Sequence, residues 1–248
     1  MEEQLLYYAI KYQGNFNQIY KAVTRNELIN KNELAKMKDA LTCSYTTILS
    51  KDYPTRLKEI DSPPFVLFYY GDISLCNRDC ISMVGMRACS DYGRKMALSI
   101  SFNLAKKGKV IVSGMAKGID AYSHLGAMKG QGKTIAVLGS GIDYCYPKEN
   151  LSLYQLLKEE HLVISEYPGA MIPKKECFPI RNRIVAGLGE KLIVVEAKQR
   201  SGTMITVNFS LNQGKDIYCV PNRIGEYDGC NRLISQGADI LVDVEDLF

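Results

Sequence analysis

VIVSGMAKGID, residues 110–120, reads as a strand that runs through a glycine turn into a helix. Val110 to Ser113 is a short β-branched run. Gly114, Lys117 and Gly118 end it, and a helical pattern follows. Turns of this kind aim free backbone N–H groups at one point, which suits them to phosphate. The phosphate could belong to a nucleotide cofactor or to the backbone of a nucleic acid.

The same rhythm extends in both directions from this segment. Short apolar runs recur from Phe65 onward: FVLFYY (65–70), ISMVG (81–85), VIVSG (110–114), TIAVLG (134–139), LVIS (162–165), LIVVE (192–196), IYCV (217–220) and DILV (239–242). Several are continuous rather than alternating, as strands buried on both faces should be. Helical patterns lie between most of them, for example Tyr92 to Lys107 and Thr203 to Gln213. The alternation predicts an α/β fold, a Rossmann-like doubly wound, mostly parallel sheet covered by helices on both faces. Residues 1–48 read as a small helical N-terminal unit, because Leu5, Leu6, Ile10, Ile19, Val23, Leu28, Leu34, Met37 and Leu41 fall at helical spacing. Polar breaks at Gly14-Asn15 and Asn30-Lys31 divide it. Residues 49–64 carry three prolines and read as a linker lying on the next domain, with the Rossmann-like core at 65–248.

Composition narrows the function classes. The 248 residues are 46% hydrophobic and 23% charged, which suits a soluble globular chain. A net charge of +4, from 31 basic and 27 acidic residues, permits an anionic partner without demanding one. No apolar stretch approaches the roughly 18 residues of a membrane span. The N-terminus, MEEQLLYYAIKYQ, has acids where a signal peptide carries its basic region, so a cytoplasmic protein is expected. Eight cysteines include no CxxC pair, and His124 and His161 lie near none of them in sequence. Zinc-site spacing is therefore missing, and the thiols read as reduced core residues. No metal or cofactor is expected.

In an open parallel sheet the strand carboxyl ends share one edge, where ligands bind. Five loops leave that edge: MRACSDYG, MAKGID, SGIDYCYP, EYPGAMIPKKECFPIRNR and AKQRSGT. Arg87, Ser113, Gly114, Lys117, Gly118, Ser140, Gly141, Arg181, Arg183, Arg200, Ser201 and Gly202 should crowd one rim. Arg87, Lys117, Lys174, Lys175, Arg181, Arg183, Lys198 and Arg200 outnumber Asp120, Asp143, Glu166, Glu176 and Glu196 there. Helices starting after Gly114 and Ser201 would add partial positive charge.

Nucleotide signatures are incomplete. Gly139-Ser140-Gly141 begins a dinucleotide fingerprint, but Tyr144 stands where its third glycine belongs. GQGKT (130–134) has Ala127 in place of the first P-loop glycine and precedes a strand instead of following one. His124 has no partner in sequence, GxSxG does not occur, and Glu166 reads as an orienter of Arg181 or Arg183. An enzyme is not expected. Two rival readings stand: a Rossmann-like nucleotide or phosphoribosyl hydrolase using the same rim, and a recombination scaffold with a vestigial pocket.

Taken together, VGMRACSDYGR, VSGMAKGIDAYSHLGAM, SEYPGAMIPKKECFPIRNRIVAGL and VVEAKQRSGTMITVNFSLNQGKDIYCVP resemble the DNA-processing protein A family (DprA, also called Smf). The resemblance runs from about Tyr53 to Val242, and SGxAxGID followed by FPxRNRIxAGL is its most specific part. It implies an extended Rossmann fold and a homodimer that binds single-stranded DNA with little sequence preference. The strand would be protected and passed to the RecA recombinase in natural transformation, with single-strand-binding protein as a further partner. It places Arg87, Ser113, Gly114, Lys117, Gly118, Arg181, Asn182, Arg183, Ser201 and Gly202 on the family's basic pocket. It also implies a dimer surface among the helices between 203 and 236. This chain departs from the pattern at Met86, where the family has Thr or Ser, and at PNRIGEYDGCN. With the last strand read at 239–242, the winged-helix-like domain of many members is not expected. Tyr92, Tyr144, Tyr146, Tyr167 and Phe178 are the loop aromatics available for base stacking.

Overall fold

The computed structural model describes residues 1–247; Phe248, the last residue of the core as read from the sequence, lies outside them. Three helices open the chain: α1 (Glu2–Lys11), α2 (Phe16–Thr24) and α3 (Lys31–Asp39). Both polar breaks are N-caps. Asn15 accepts from the Gln18 N–H at 3.1 Å, and Asn30 accepts from the N–H groups of Asn32 and Glu33.

The next element differs from the sequence reading. Residues 44–47, placed there in the helical unit, form strand β1 (Ser44–Thr47), which pairs antiparallel with β2 (Val66–Gly71). The stretch SYTT is β-prone but too short and polar to show a period. Burial of Thr46 and Thr47 is made possible by hydroxyl contacts to Asp52 (2.7 Å) and Ser50 (2.9 Å). The proline-rich segment between the two strands lies on the core, with Tyr53 and Leu57 fully buried and the Tyr53 hydroxyl donating to Pro64 O at 2.7 Å.

Strand and helix then alternate: β3 (Cys80–Gly85), α4 (Asp91–Lys106), β4 (Val110–Ser113), α5 (Ile119–Lys129), β5 (Thr134–Gly141), α6 (Leu151–Glu160), β6 (Leu162–Tyr167), α7 (Cys177–Leu188), β7 (Lys191–Glu196), α8 (Gly202–Asn212), β8 (Ile217–Cys219), α9 (Gly229–Ser235) and β9 (Asp239–Ile240). The strands lie in the order β1-β2-β6-β5-β4-β3-β7-β8-β9. Every pair from β6 across to β9 is parallel, while β1–β2 and β2–β6 are antiparallel. This is the expected Rossmann-like, mostly parallel sheet with a mixed edge.

Apolar side chains on α4 and α5, such as Leu104 and Ile119, pack on Ile81, Met83, Ile111 and Ile193 of one face. Ile184 of α7 and Val207 of α8 pack on Val84, Val112 and Val194 of the other. Leu6 of α1 and Ile19 of α2 join Leu157 of α6 over Phe68, Leu138 and Val163. No helix among the described residues is long and apolar enough to cross a membrane. His124 is fully buried, with Nδ1 2.7 Å from the Thr134 hydroxyl, and burial pushes its pKa down to about 3.

From β3 the chain moves through β4, β5 and β6 in one direction, then returns to place β7, β8 and β9 on the other side. That reversal leaves a crevice beyond the carboxyl ends of β3 and β7, where open α/β sheets hold their ligands.

Candidate nucleic-acid interface

The turn after β4 is built by two residues with left-handed backbone, Met115 (φ 56°) and Gly118 (φ 75°). A Cβ at Gly118 would lie 2.3 Å from Met86 O and 2.4 Å from Arg87 O, so only glycine lets this turn cross the loop after β3. The crossing is tied by the Ile119 N–H, which donates to Met86 O at 3.1 Å. The helix therefore starts at Ile119, directly after the glycine turn as read from the sequence, because the Gly118 conformation cannot belong to a helix.

Gly114 makes a second close approach. Arg181 of α7 lies against its Cα and donates to Gly114 O (2.6 Å) and to Val137 O, with Nε on Asn182 Oδ1 (3.1 Å). Burial pushes this guanidinium down to about 10, which leaves it charged at neutral pH. The buried Asp120 carboxyl is raised by desolvation, against the opposing charge of Arg181, and accepts the Ala116 N–H at 3.3 Å.

These elements wall a crevice of about 670 Å³ at the switch point between β3 and β7. Arg87, Gly114, Arg181, Asn182, Ser201 and Gly202 line it, together with Lys175, Lys198, Tyr146 and Phe178. A narrow annex of about 50 Å³ adds Lys117 and Gly139. The Arg87 guanidinium sits 5.4 Å from the Phe178 ring centroid, and Phe178 packs on Tyr146 at 5.2 Å. Gly139 makes room for that ring, since a Cβ there would come within 2.8 Å of it. Ser201 makes no side-chain cap on α8; its hydroxyl donates to Lys198 O at 2.9 Å. Gly202 and Thr203, the first residues of α8, line the crevice with their uncapped end.

Several residues read from the sequence stand elsewhere. Ser113 is buried beneath the turn, donating to Met83 O at 2.7 Å, and shapes the scaffold without lining the crevice. Arg183 does not line it either. Its Nη2 donates to both Glu166 oxygens, at 2.7 and 2.9 Å, and its Nε to Ser62 O. Successive positions on a helix point about 100° apart, so Arg181 and Arg183 serve different surroundings. Glu166 thus orients Arg183. Of the five loop aromatics, Tyr146 and Phe178 line the crevice, whereas Tyr167 is buried and the Tyr92 hydroxyl donates to Pro221 O. Lys117 carries a partner the sequence did not reveal, Glu149 at 2.5 Å, both side chains being more than half exposed.

Residues 44–248 match the family of DNA recombination-mediator protein A. The chain belongs to this family. A relative, the DNA processing protein DprA of Streptococcus pneumoniae, is 43% identical over 204 residues, covering 82% of this chain and 72% of its own length. The X-ray structure of DNA processing protein A from S. pneumoniae aligns over 100% of this chain and 92% of that one, with a TM-score of 0.84 and 36% identity. DNA processing protein A from Helicobacter pylori, whose structure concerns a unique single-stranded DNA binding mode, aligns with a TM-score of 0.76 and 28% identity over 83% and 94% of the two chains. The recombination-mediator match begins at Ser44, the first residue of β1.

Proposed function

We propose that the chain binds single-stranded DNA in the switch-point crevice, protects incoming strands as a cytoplasmic homodimer, and loads the RecA recombinase onto them during DNA uptake. The observation that carries this reading is the charge of the crevice. Arg87, Lys175 and Lys198 line it, Lys117 lines its annex, Arg181 lies in its wall, and the uncapped start of α8 opens into it. The H. pylori relative's single-stranded DNA binding mode supports the same reading. Asp120 is the one carboxylate among the lining residues; it accepts the Ala116 N–H and feels the opposing charge of Arg181. A hydrolase using this crevice would lack a second acid or base opposite it.

Backbone contacts made by cations and helix ends read phosphate, not base identity. Phe178 and Tyr146 add a stacking surface that tolerates any base. Single-strand-binding protein is the further partner, competing for the same strand.

The test is a titration of fluorescent oligothymidylate at two salt concentrations with duplex competitor. Four cations predict a slope of log K on log salt of about −3, and Lys117→Ala reduces its magnitude by about 0.7. Salt-independent binding, or equal preference for duplex, would overturn the reading. RecA loading is read from strand exchange on DNA precoated with single-strand-binding protein, with and without the chain.

A further inference from the structure

We infer that Glu196 is a positioning residue that holds Arg87 over the crevice, an inference that rests on reading Arg87 as a strand contact. Glu196 ends β7 and is fully buried. Its backbone oxygen accepts the Met86 N–H at 2.9 Å. Its carboxylate accepts the Ser90 N–H at 2.8 Å through Oε2 and the Ser90 hydroxyl at 2.6 Å through Oε1. One residue therefore grips both ends of the loop 86–90, and Arg87 is the cation between the grips.

The arrangement is built on both sides. A register shift between Val84 and Gly85 sets Glu196, and not Val195, across from Gly85. Ser90 caps α4 by accepting the Gly93 N–H at 3.0 Å, so the carboxylate lies at the positive end of that helix. A Cβ at Gly93 would come 2.8 Å from Glu196 Oε2, so glycine is what leaves the carboxylate room. Glu196 forms no ion pair among the described residues. A buried carboxylate without a cation is expensive; the α4 terminus and the Ser90 contacts offset it, and the product is a fixed loop.

Simple electrostatics and positioning predict opposite signs. Removing an acid from the rim of a polyanion site should strengthen binding. Releasing the Arg87 loop should weaken it. The experiment is a double-mutant cycle in the full chain with Glu196→Gln, Arg87→Ala and the pair, titrated with oligothymidylate at low salt, with melts to confirm folding. Arg87→Ala is expected to weaken binding about tenfold and Glu196→Gln about three- to tenfold. The pair should bind no more weakly than Arg87→Ala alone. Ser90→Ala, which keeps the charge of Glu196 and removes one grip, should weaken binding in the same direction, and Ser90→Thr should restore it. If Arg87→Ala weakens binding while Glu196→Gln and Ser90→Ala bind as well as or better than the parent, or if the Glu196 loss persists in the Arg87→Ala background, the inference is overturned and the site reading stands. If Arg87→Ala itself binds normally, the reading of Arg87 fails and the inference with it.

Discussion

Replacing Gly114 with alanine drives a methyl group into the Arg181 guanidinium. The added Cβ would lie 2.6 Å from one Nη and 2.7 Å from the guanidinium carbon. Ordinary contact needs about 3.5–4.0 Å, so the guanidinium must retreat by about 1 Å. That retreat breaks its donations to Gly114 O (2.6 Å) and Val137 O. Hydrogen bonds from a charged donor contribute about 1.5–3 kcal/mol each, and the displaced group regains part of this from water in the crevice. The net loss is about 2–4 kcal/mol, or roughly 4–16 °C in Tm for a chain of this size. On the proposed reading binding should fall as well, because the guanidinium moves into the crevice. Gly202→Ala is the matched control. Its Cβ meets nothing within 4 Å, so Tm should hold or rise slightly, while the methyl at the start of α8 obstructs close approach of a phosphate. Thermal melts by circular dichroism and oligothymidylate titration read both variants. Gly114→Ala melting and binding like the parent would refute the claim that Arg181 is locked against the turn.

Two further perturbations are independent of this one. Glu149→Gln frees Lys117 from its ion pair at 2.5 Å and should tighten single-strand binding about two- to fivefold at low salt, the gain fading as salt rises; anisotropy showing unchanged or weaker binding would remove Lys117 from the path of the strand. Burial holds His124 neutral down to about 3, whereas the unfolded chain takes up a proton below 6.5, so its contribution to stability is present above 6.5 and lost as pH falls. Between pH 7.5 and 5 that loss is about 2 kcal/mol. Urea melts of the parent should show it and those of His124→Gln should lack it, with His161, also lowered by burial, retaining its own share; an undiminished slope in the variant would refute the assignment.

Strand–helix alternation was legible because strands covered on both faces are continuous apolar runs. The predicted helices at 92–107 and 203–213 fall within one residue of Asp91–Lys106 and Gly202–Asn212. β1 was not legible, since SYTT becomes a strand only against a partner lying beyond a proline-rich segment. The rim was legible from topology alone, which gathers the five loops at one edge. The direction of side chains on it was not. Without the phase of α7, nothing distinguishes Arg181, which walls the crevice, from Arg183, which pairs with Glu166. Glu196 counted in the sequence as one acid against the basic rim, because its contacts with Ser90 cross 106 positions. The Lys117–Glu149 pair is likewise a product of the fold, joining two loops 32 positions apart.

The short strand Ser44–Thr47 has a mechanical consequence. It joins the N-terminal helices to β2 along a backbone ladder, while Leu6 and Ile19 are packed on the sheet itself. The unit is therefore a handle fastened to the sheet and not an arm on a hinge. A load applied to α1–α3 is carried through β1 and β2 to β6. At the far end of β6 stands Glu166, whose grip on Arg183 reaches α7, the helix that also carries Arg181 and Asn182. A molecule that pulls on the helical unit would thus strain the wall of the crevice, and a strand seated there would stiffen the handle in return.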